Sequence, residues 1–172
     1  MLNAKFGTIK GLMTVPSAYF KKAILEGIPY PIRGAYMQGT NPLVSYADSH
    51  QTFAALNHLQ FLAVSDIFMT PTASMADIVL PAATHLEFDD IGHYGLGHGY
   101  ILARPKVVDP PRECWPDLKI LNSLGRELTG EKHWYKDYRL LIEEVLGPTG
   151  LTFDAFCEKQ ILQGVEKFKK YQ

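Results

Sequence analysis

Cysteine is scarce in this chain of 172 residues, which holds two, Cys114 and Cys157. They form no CxxC pair and are too few for a disulfide framework, although a single bridge between them stays open. Long apolar runs are missing, since none approaches the roughly 20 residues that cross a bilayer. The start, MLNAKFGTIKGLM, lacks the pattern of a signal peptide. The chain as given is therefore expected in the cytoplasm, while a larger parent protein could be cytoplasmic or exported. An excess of charge is missing too. Seventeen Lys and Arg against 18 Asp and Glu leave a formal net charge of -1, which argues against nucleic-acid binding driven by phosphate contacts. Internal repeats and low-complexity tracts are absent. What remains, 47% hydrophobic and 20% charged, suits a soluble globular chain with one good core.

The rest is organised around residues 61–81, FLAVSDIFMTPTASMADIVLP. Phe61, Leu62, Ala63 and Val64 form an apolar run that breaks at Ser65-Asp66. A second run, Ile78-Val79-Leu80, stops at Pro81. Apolar runs without alternation suit strands covered on both faces, as in a parallel sheet. Between them Thr70-Pro71 offers a cap and a first-turn proline for a short helix. Upstream, residues 33–38 (RGAYMQ) read as another strand ending in Gly39-Thr40-Asn41-Pro42, followed by a helix from about Tyr46 to His58 with Phe53, Leu56 and Leu59 at core spacing. Both loops open on one edge of one sheet. That carboxyl edge is where open α/β sheets bind ligands.

Around this centre, residues 16–26 read as an amphipathic helix presenting Tyr19, Phe20, Ala23 and Ile24 and closed by Gly27. Residues 82–90 (AATHLEFDD) extend a strand, 91–100 form a glycine-rich loop, and 100–108 form an edge strand because Pro105 interrupts them. Trp115-Pro116-Asp117 starts a helix to about Leu128, with Leu118, Leu121, Leu124 and Leu128 on one side, and Gly130 ends it. Two further helices, residues 135–146 and 152–162, follow, and KFKKYQ frays at the end.

Residue chemistry alone leaves each candidate ambiguous. Asp66, just past a buried strand, can accept two hydrogen bonds side by side, yet it can equally stabilise its own turn. Asn41 beside Gly39 suits a diphosphate cradle of backbone N–H groups, or a plain Asn-Pro turn. Asp117 at a helix start suits a cap. His85, Glu87 and Asp89 would share one face of a strand, with His93 and His98 in the loop beyond, but the spacing matches no defined zinc motif. Gly95-Leu96-Gly97-His98-Gly99 echoes a dinucleotide fingerprint without the strand-to-helix junction that gives the motif its meaning.

The GTNP block, SDIFMTPTASMADIVLPAATHLE and VDPPRECWPDLKILNSLGRELTG, taken in order, resemble the molybdopterin oxidoreductases of the dimethyl sulfoxide reductase family. The resemblance covers about Ile32 to Gly130. It implies a three-layer, Rossmann-like α/β domain with a mostly parallel sheet and helices on both faces, third in the family's usual order. Residues 1–31 become a lead-in with one helix, 32–130 the dinucleotide-binding part, and 131–172 a helical extension toward a further domain. By position in the family's blocks, Gly39, Thr40, Asn41, Pro42, Ser65, Asp66, Thr70 and Asp117 are candidate contacts to one of two molybdopterin guanine dinucleotides. Asp66 would take guanine and Asn41 the diphosphate, while Thr70 and Thr72 cap the Asp66 loop. Glu87 matches a glutamate that the family often follows with a lysine. Phe88 stands there instead, removing a cationic contact. The glycine and asparagine that the family sets ahead of an arginine near residue 97 are kept only loosely.

The resemblance also implies what is missing. The cysteine cluster for a [4Fe–4S] centre and the serine, cysteine or selenocysteine that ligates molybdenum belong to other domains. The chain alone is therefore expected to be apo and without redox activity. Its partners would be the remaining domains of a parent enzyme and, as in some relatives, an iron–sulfur electron-transfer subunit. Two other readings remain: a stand-alone nucleotide-binding or assembly module on the same fold, and a small metal-dependent hydrolase using His85, Glu87 and Asp89.

Overall fold

Parallel pairing of three short strands sets the frame. The structure, a computed structural model, describes residues 15–93 and 100–163. The expectations for the first 13 residues, the Gly95–Gly99 run and KFKKYQ lie outside them. The chain divides into two compact units, Met1–Pro81 and Ala82–Gln172. No helix among the described residues is long and apolar enough to cross a membrane.

In the first unit β1 (Gly34–Gln38), β2 (Phe61–Asp66) and β3 (Ile78–Pro81) form a parallel sheet with β2 central. The mixed α/β class and the parallel sheet stand as expected. Successive side chains leave a strand on opposite faces. Met37, Leu62 and Val64 accordingly share one face with Ala35 and Val79, where Leu56 and Ala73 complete a buried core. Met37, Leu56, Leu62 and Val64 each contribute about 1.5–3 kcal/mol by leaving water. Helix α1 (Ser17–Leu25) buries Ala23 and Ile24 and sets Phe20 against that core. Tyr19 stays exposed. Lys21 is also buried, its ammonium donating to the Ala47 carbonyl at 2.7 Å.

A short helix, α2 (Pro42–Ser45), precedes the helix expected from about Tyr46 to His58, which begins at Ser49 as α3 (Ser49–His58). Tyr46 is extended, and Asp48 turns the chain through the left-handed region at φ 58°. Asp tolerates that region better than most residues because its short side chain bonds locally. Here the carboxylate accepts from the Gln51 N–H at 3.0 Å and so caps α3. Leu56 is buried as expected, whereas Phe53 is half-exposed.

The second unit holds a sheet that the sequence reading did not contain. Strands β4 (Asp90–His93), β5 (Tyr100–Arg104) and β6 (Ile161–Gln163) pair antiparallel with β5 in the middle. The expected edge strand is therefore central, and Pro105 falls just beyond its last paired residue. Residues 82–90 are not one strand. Ala82 makes an isolated parallel bridge to Trp115, and a turn closes between Thr84 and Glu87 through the Glu87 N–H to the Thr84 carbonyl at 2.9 Å.

Helix α4 (Asp117–Thr129) ends at Gly130 with φ 80°. Its buried residues are Ile120 and Gly125, and the predicted Leu121, Leu124 and Leu128 side is exposed. Tyr135 does not open a helix. Its N–H and C=O are both held by the Asn122 side chain, at 2.9 and 2.7 Å, and α5 spans Arg139–Leu146. Helix α6 (Phe153–Lys159) stops at Gln160, φ 64°, before β6 begins. Ile142, Leu146, Phe153 and Phe156 make the core, with Ile101 and Leu162 of the sheet packed against it. Both cysteines are free thiols.

Candidate functional site

Parallel strands deliver their carboxyl ends to one edge, so the loop after β1 and the loop after β2 emerge side by side. The Gly39 N–H donates to the Ser65 carbonyl at 2.9 Å, tying the two exits together. Gly39 sits at φ +54°, and a Cβ placed there would meet nothing within 4 Å. Glycine thus serves the turn's backbone angle and leaves room beside it. Asn41, further along the loop, is kept out of the α region before Pro42, at φ -124° and ψ 72°, as the proline ring requires. Pro42 is buried at the first turn of α2.

The Asn41 side chain turns toward the second loop. Its Oδ1 accepts from the Thr72 hydroxyl at 2.7 Å and from the Thr72 N–H at 3.3 Å. The Thr72 hydroxyl in turn accepts from the Leu43 N–H at 3.1 Å. Thr72 is fully buried. It was expected to hold the Asp66 loop; it holds the Asn41 loop instead. No local pattern marks this role, because the partners lie 31 residues apart. Thr70 does cap, its hydroxyl accepting from the Ala73 N–H at 3.1 Å ahead of the short 3-10 helix Ala73–Met75.

Asp66 ends β2, half-buried, and its Oδ1 accepts from the N–H groups of Ile67 and Phe68 at 2.8 and 3.3 Å. This is the turn-stabilising role, carried by one oxygen. The other oxygen takes no part in the turn, and a carboxylate has about four lone-pair sites in all. Beyond it Ile67, Phe68 and Met69 are exposed. Ser65 faces away from the Leu62–Val64 core by strand alternation. Its hydroxyl is fully buried without a hydrogen-bond partner among the described residues. Such a group ordinarily costs about 1–3 kcal/mol.

The first unit thus gathers Gly39, Thr40, Asn41, Pro42, Ser65, Asp66 and Thr70 at one sheet edge. Asp117 belongs to the second unit, in the first turn of α4 after Pro116, where a carboxylate suits the helix dipole.

The metal reading of residues 85–89 loses its geometry with the strand. Glu87 Oε2 accepts from the Thr84 N–H at 2.7 Å. Asp89 accepts from the Lys106 N–H at 2.9 Å and pairs with Arg139 at 2.7 Å. Among the described residues no three His, Cys, Asp or Glu side chains are grouped to hold an ion. An open groove of about 600 Å³ runs past His85, Leu102, Arg104 and Val107. Its guanidinium lies 3.6 Å from Asp90.

Against known proteins, the family described as molybdopterin oxidoreductase matches residues 13–127. The chain is 37% identical over 115 residues to the F420-dependent formate dehydrogenase subunit alpha of Methanocaldococcus jannaschii, covering 66% of this chain and 17% of that protein. It is 40% identical over 101 residues to the dimethyl sulfoxide/trimethylamine N-oxide reductase of Cereibacter sphaeroides, covering 58% of this chain and 12% of that one. Among solved structures, acetylene hydratase from Pelobacter acetylenicus superposes with a TM-score of 0.84 at 25% identity, covering 90% of this chain and 22% of that one. The chain thus spans about a fifth or less of the length of the relatives it matches by sequence.

Proposed function

Because this chain belongs to the molybdopterin oxidoreductase family, we propose that it is one domain of a larger molybdopterin-dependent oxidoreductase and binds one of two molybdopterin guanine dinucleotides. The observation that carries the reading is the pair of loops, Gly39–Pro42 and Ser65–Thr70, leaving one carboxyl edge of a parallel sheet and joined by the Gly39–Ser65 bond. Loops at that edge are the common ligand position in open α/β sheets.

The residues present fit the group. Asp66 keeps one oxygen free of its turn for guanine N–H donors, Asn41 and the loop backbone beside the open space at Gly39 would hold the diphosphate, and the buried Ser65 hydroxyl lacks a partner among the described residues. By its position in the family's blocks Asp117 would be a further dinucleotide contact, and residues 32–130 would form the dinucleotide-binding part. When bound, the molybdenum–pterin group supplies two-electron or oxygen-atom chemistry, while the chain supplies orientation and charge. The chain by itself would be catalytically silent. Its working partners would be the remaining domains of the enzyme and an iron–sulfur subunit for electron transfer.

Calorimetry with GDP, the guanosine diphosphate portion of the dinucleotide, tests this. Binding to the wild-type chain that falls at least tenfold in Asp66→Ala is expected; unchanged affinity in the variant removes Asp66 from the site.

A further inference from the structure

The Asn41–Thr72 contact fixes more than a loop. We infer that Thr72 is the positioning residue of this site, locking the Asn41 amide with its carbonyl inward and its NH2 outward, so that the ligand group seated on Asn41 is a hydrogen-bond acceptor. The inference rests on the reading of the Asn41 loop as a binding loop and adds the polarity of the contact.

Donor accounting carries it. A side-chain amide has one accepting and one donating end, and exchanging them reverses what it offers a ligand. Thr72 presents two donors to the same Asn41 atom. One is its backbone N–H at 3.3 Å, which can only donate. The other is its hydroxyl at 2.7 Å. That hydroxyl already accepts the Leu43 N–H at 3.1 Å, which directs its single hydrogen to Asn41. An inward NH2 would set a donor against the Thr72 N–H. With the carbonyl inward, all three bonds are satisfied around the fully buried Thr72, where a mismatch is costly. The NH2 is thereby turned away from Thr72, and an acceptor such as a phosphate oxygen matches it.

Three variants of the full chain, each measured for GDP affinity and urea midpoint, separate positioning from mere structure. Asn41→Asp keeps an oxygen for both Thr72 donors but turns a second, charged oxygen outward. Its midpoint should stay near wild type while affinity for GDP falls at least about thirtyfold. Thr72→Val keeps the volume and loses the hydroxyl; affinity should fall about tenfold. Thr72→Ser keeps the hydroxyl and should return affinity to within about threefold of wild type. Affinity retained in Asn41→Asp, or in a Thr72→Val chain whose midpoint alone has dropped, overturns the inference.

Amide polarity is read separately by NMR, as a scalar coupling across the hydrogen bond from the Thr72 nitrogen to the Asn41 side-chain carbonyl carbon. A coupling without GDP binding would uphold the locked amide and overturn the cofactor reading. Absence of the coupling overturns the inference itself.

Discussion

Gly125→Ala is a substitution for which helix propensity and packing give opposite signs. Gly125 lies in the middle of α4, where alanine is normally better by about 1 kcal/mol. Here a Cβ would stand 2.2 Å from Cε2 and Cζ2 of Trp134 and 2.5 Å from Cδ2. No real Cβ approaches a ring so closely, and those atoms are the body of the indole, not a flexible tip. The ring is also tethered, since Trp134 Nε1 donates to the Thr129 hydroxyl at 2.7 Å and that hydroxyl donates to the Gly125 carbonyl at 2.8 Å. Displacing it forfeits about 0.5–1.5 kcal/mol of hydrogen bonding, and overpacking costs a further 1–3 kcal/mol or so. Set against the helix gain, the net loss is about 1–3 kcal/mol. Urea unfolding followed by circular dichroism measures it. Repeating Gly125→Ala in a Trp134→Ala background removes the clash, and there alanine should stabilise by about 0.5–1 kcal/mol. A stabilising single variant, or the same destabilisation in both backgrounds, would refute the reasoning.

Two further outcomes follow from the fold. Asp48→Ala should cost about 1–3 kcal/mol, through a lost cap and alanine's strain at φ 58°. Asp48→Gly should cost only a few tenths in the same urea assay; glycine proving worse than alanine would discard the backbone argument. Burial pushes the Cys157 thiol up from its ordinary range, and the nearby Asp89 and Asp154 carboxylates add to this. Its alkylation by iodoacetamide, followed by peptide mass spectrometry, should therefore rise at higher pH than that of a model thiol, and Asp154→Asn should bring the rise back down. The linked stability is full below the ordinary thiol pKa of about 8.5 and is lost as pH climbs through and above it, because the unfolded thiol ionises first. A Cys157 profile at or below the model thiol's would reject that placement.

The first unit was largely legible because its signals are local. The apolar run at Leu62–Val64 specifies β2, Gly39 and Pro42 punctuate the loop, and the Thr70 cap lies three residues from its partner. What escaped depends on distance or on a single backbone angle. Asp48 holds the start of the expected helix back to Ser49 by entering the left-handed region, which apolar spacing does not record. Strand β6 has three residues and takes its structure from β5, some 60 positions earlier, so locally it reads as the end of a helix. The alternation of His85, Glu87 and Asp89 imitated a strand face, but Glu87 reaching back to Thr84 made a turn. Thr72 showed its hydroxyl in the sequence but not its partner. The Leu121, Leu124 and Leu128 side had the right period for a buried helix face, and period alone does not say which face a small residue such as Gly125 allows to approach a neighbour.

The central place of β5 governs where the chain can be cut. Tyr100–Arg104 is apolar over most of its length and is flanked by β4 on one side and by the three residues of β6 on the other. A shortened chain ending at Lys159 would retain every described helix yet strip one side of that strand, leaving a row of unpaired N–H and C=O groups on an apolar template. Edges of that kind recruit other chains. The last few residues of β6 are thus a guard against aggregation, and their loss would surface as insolubility before any loss of helix was detected.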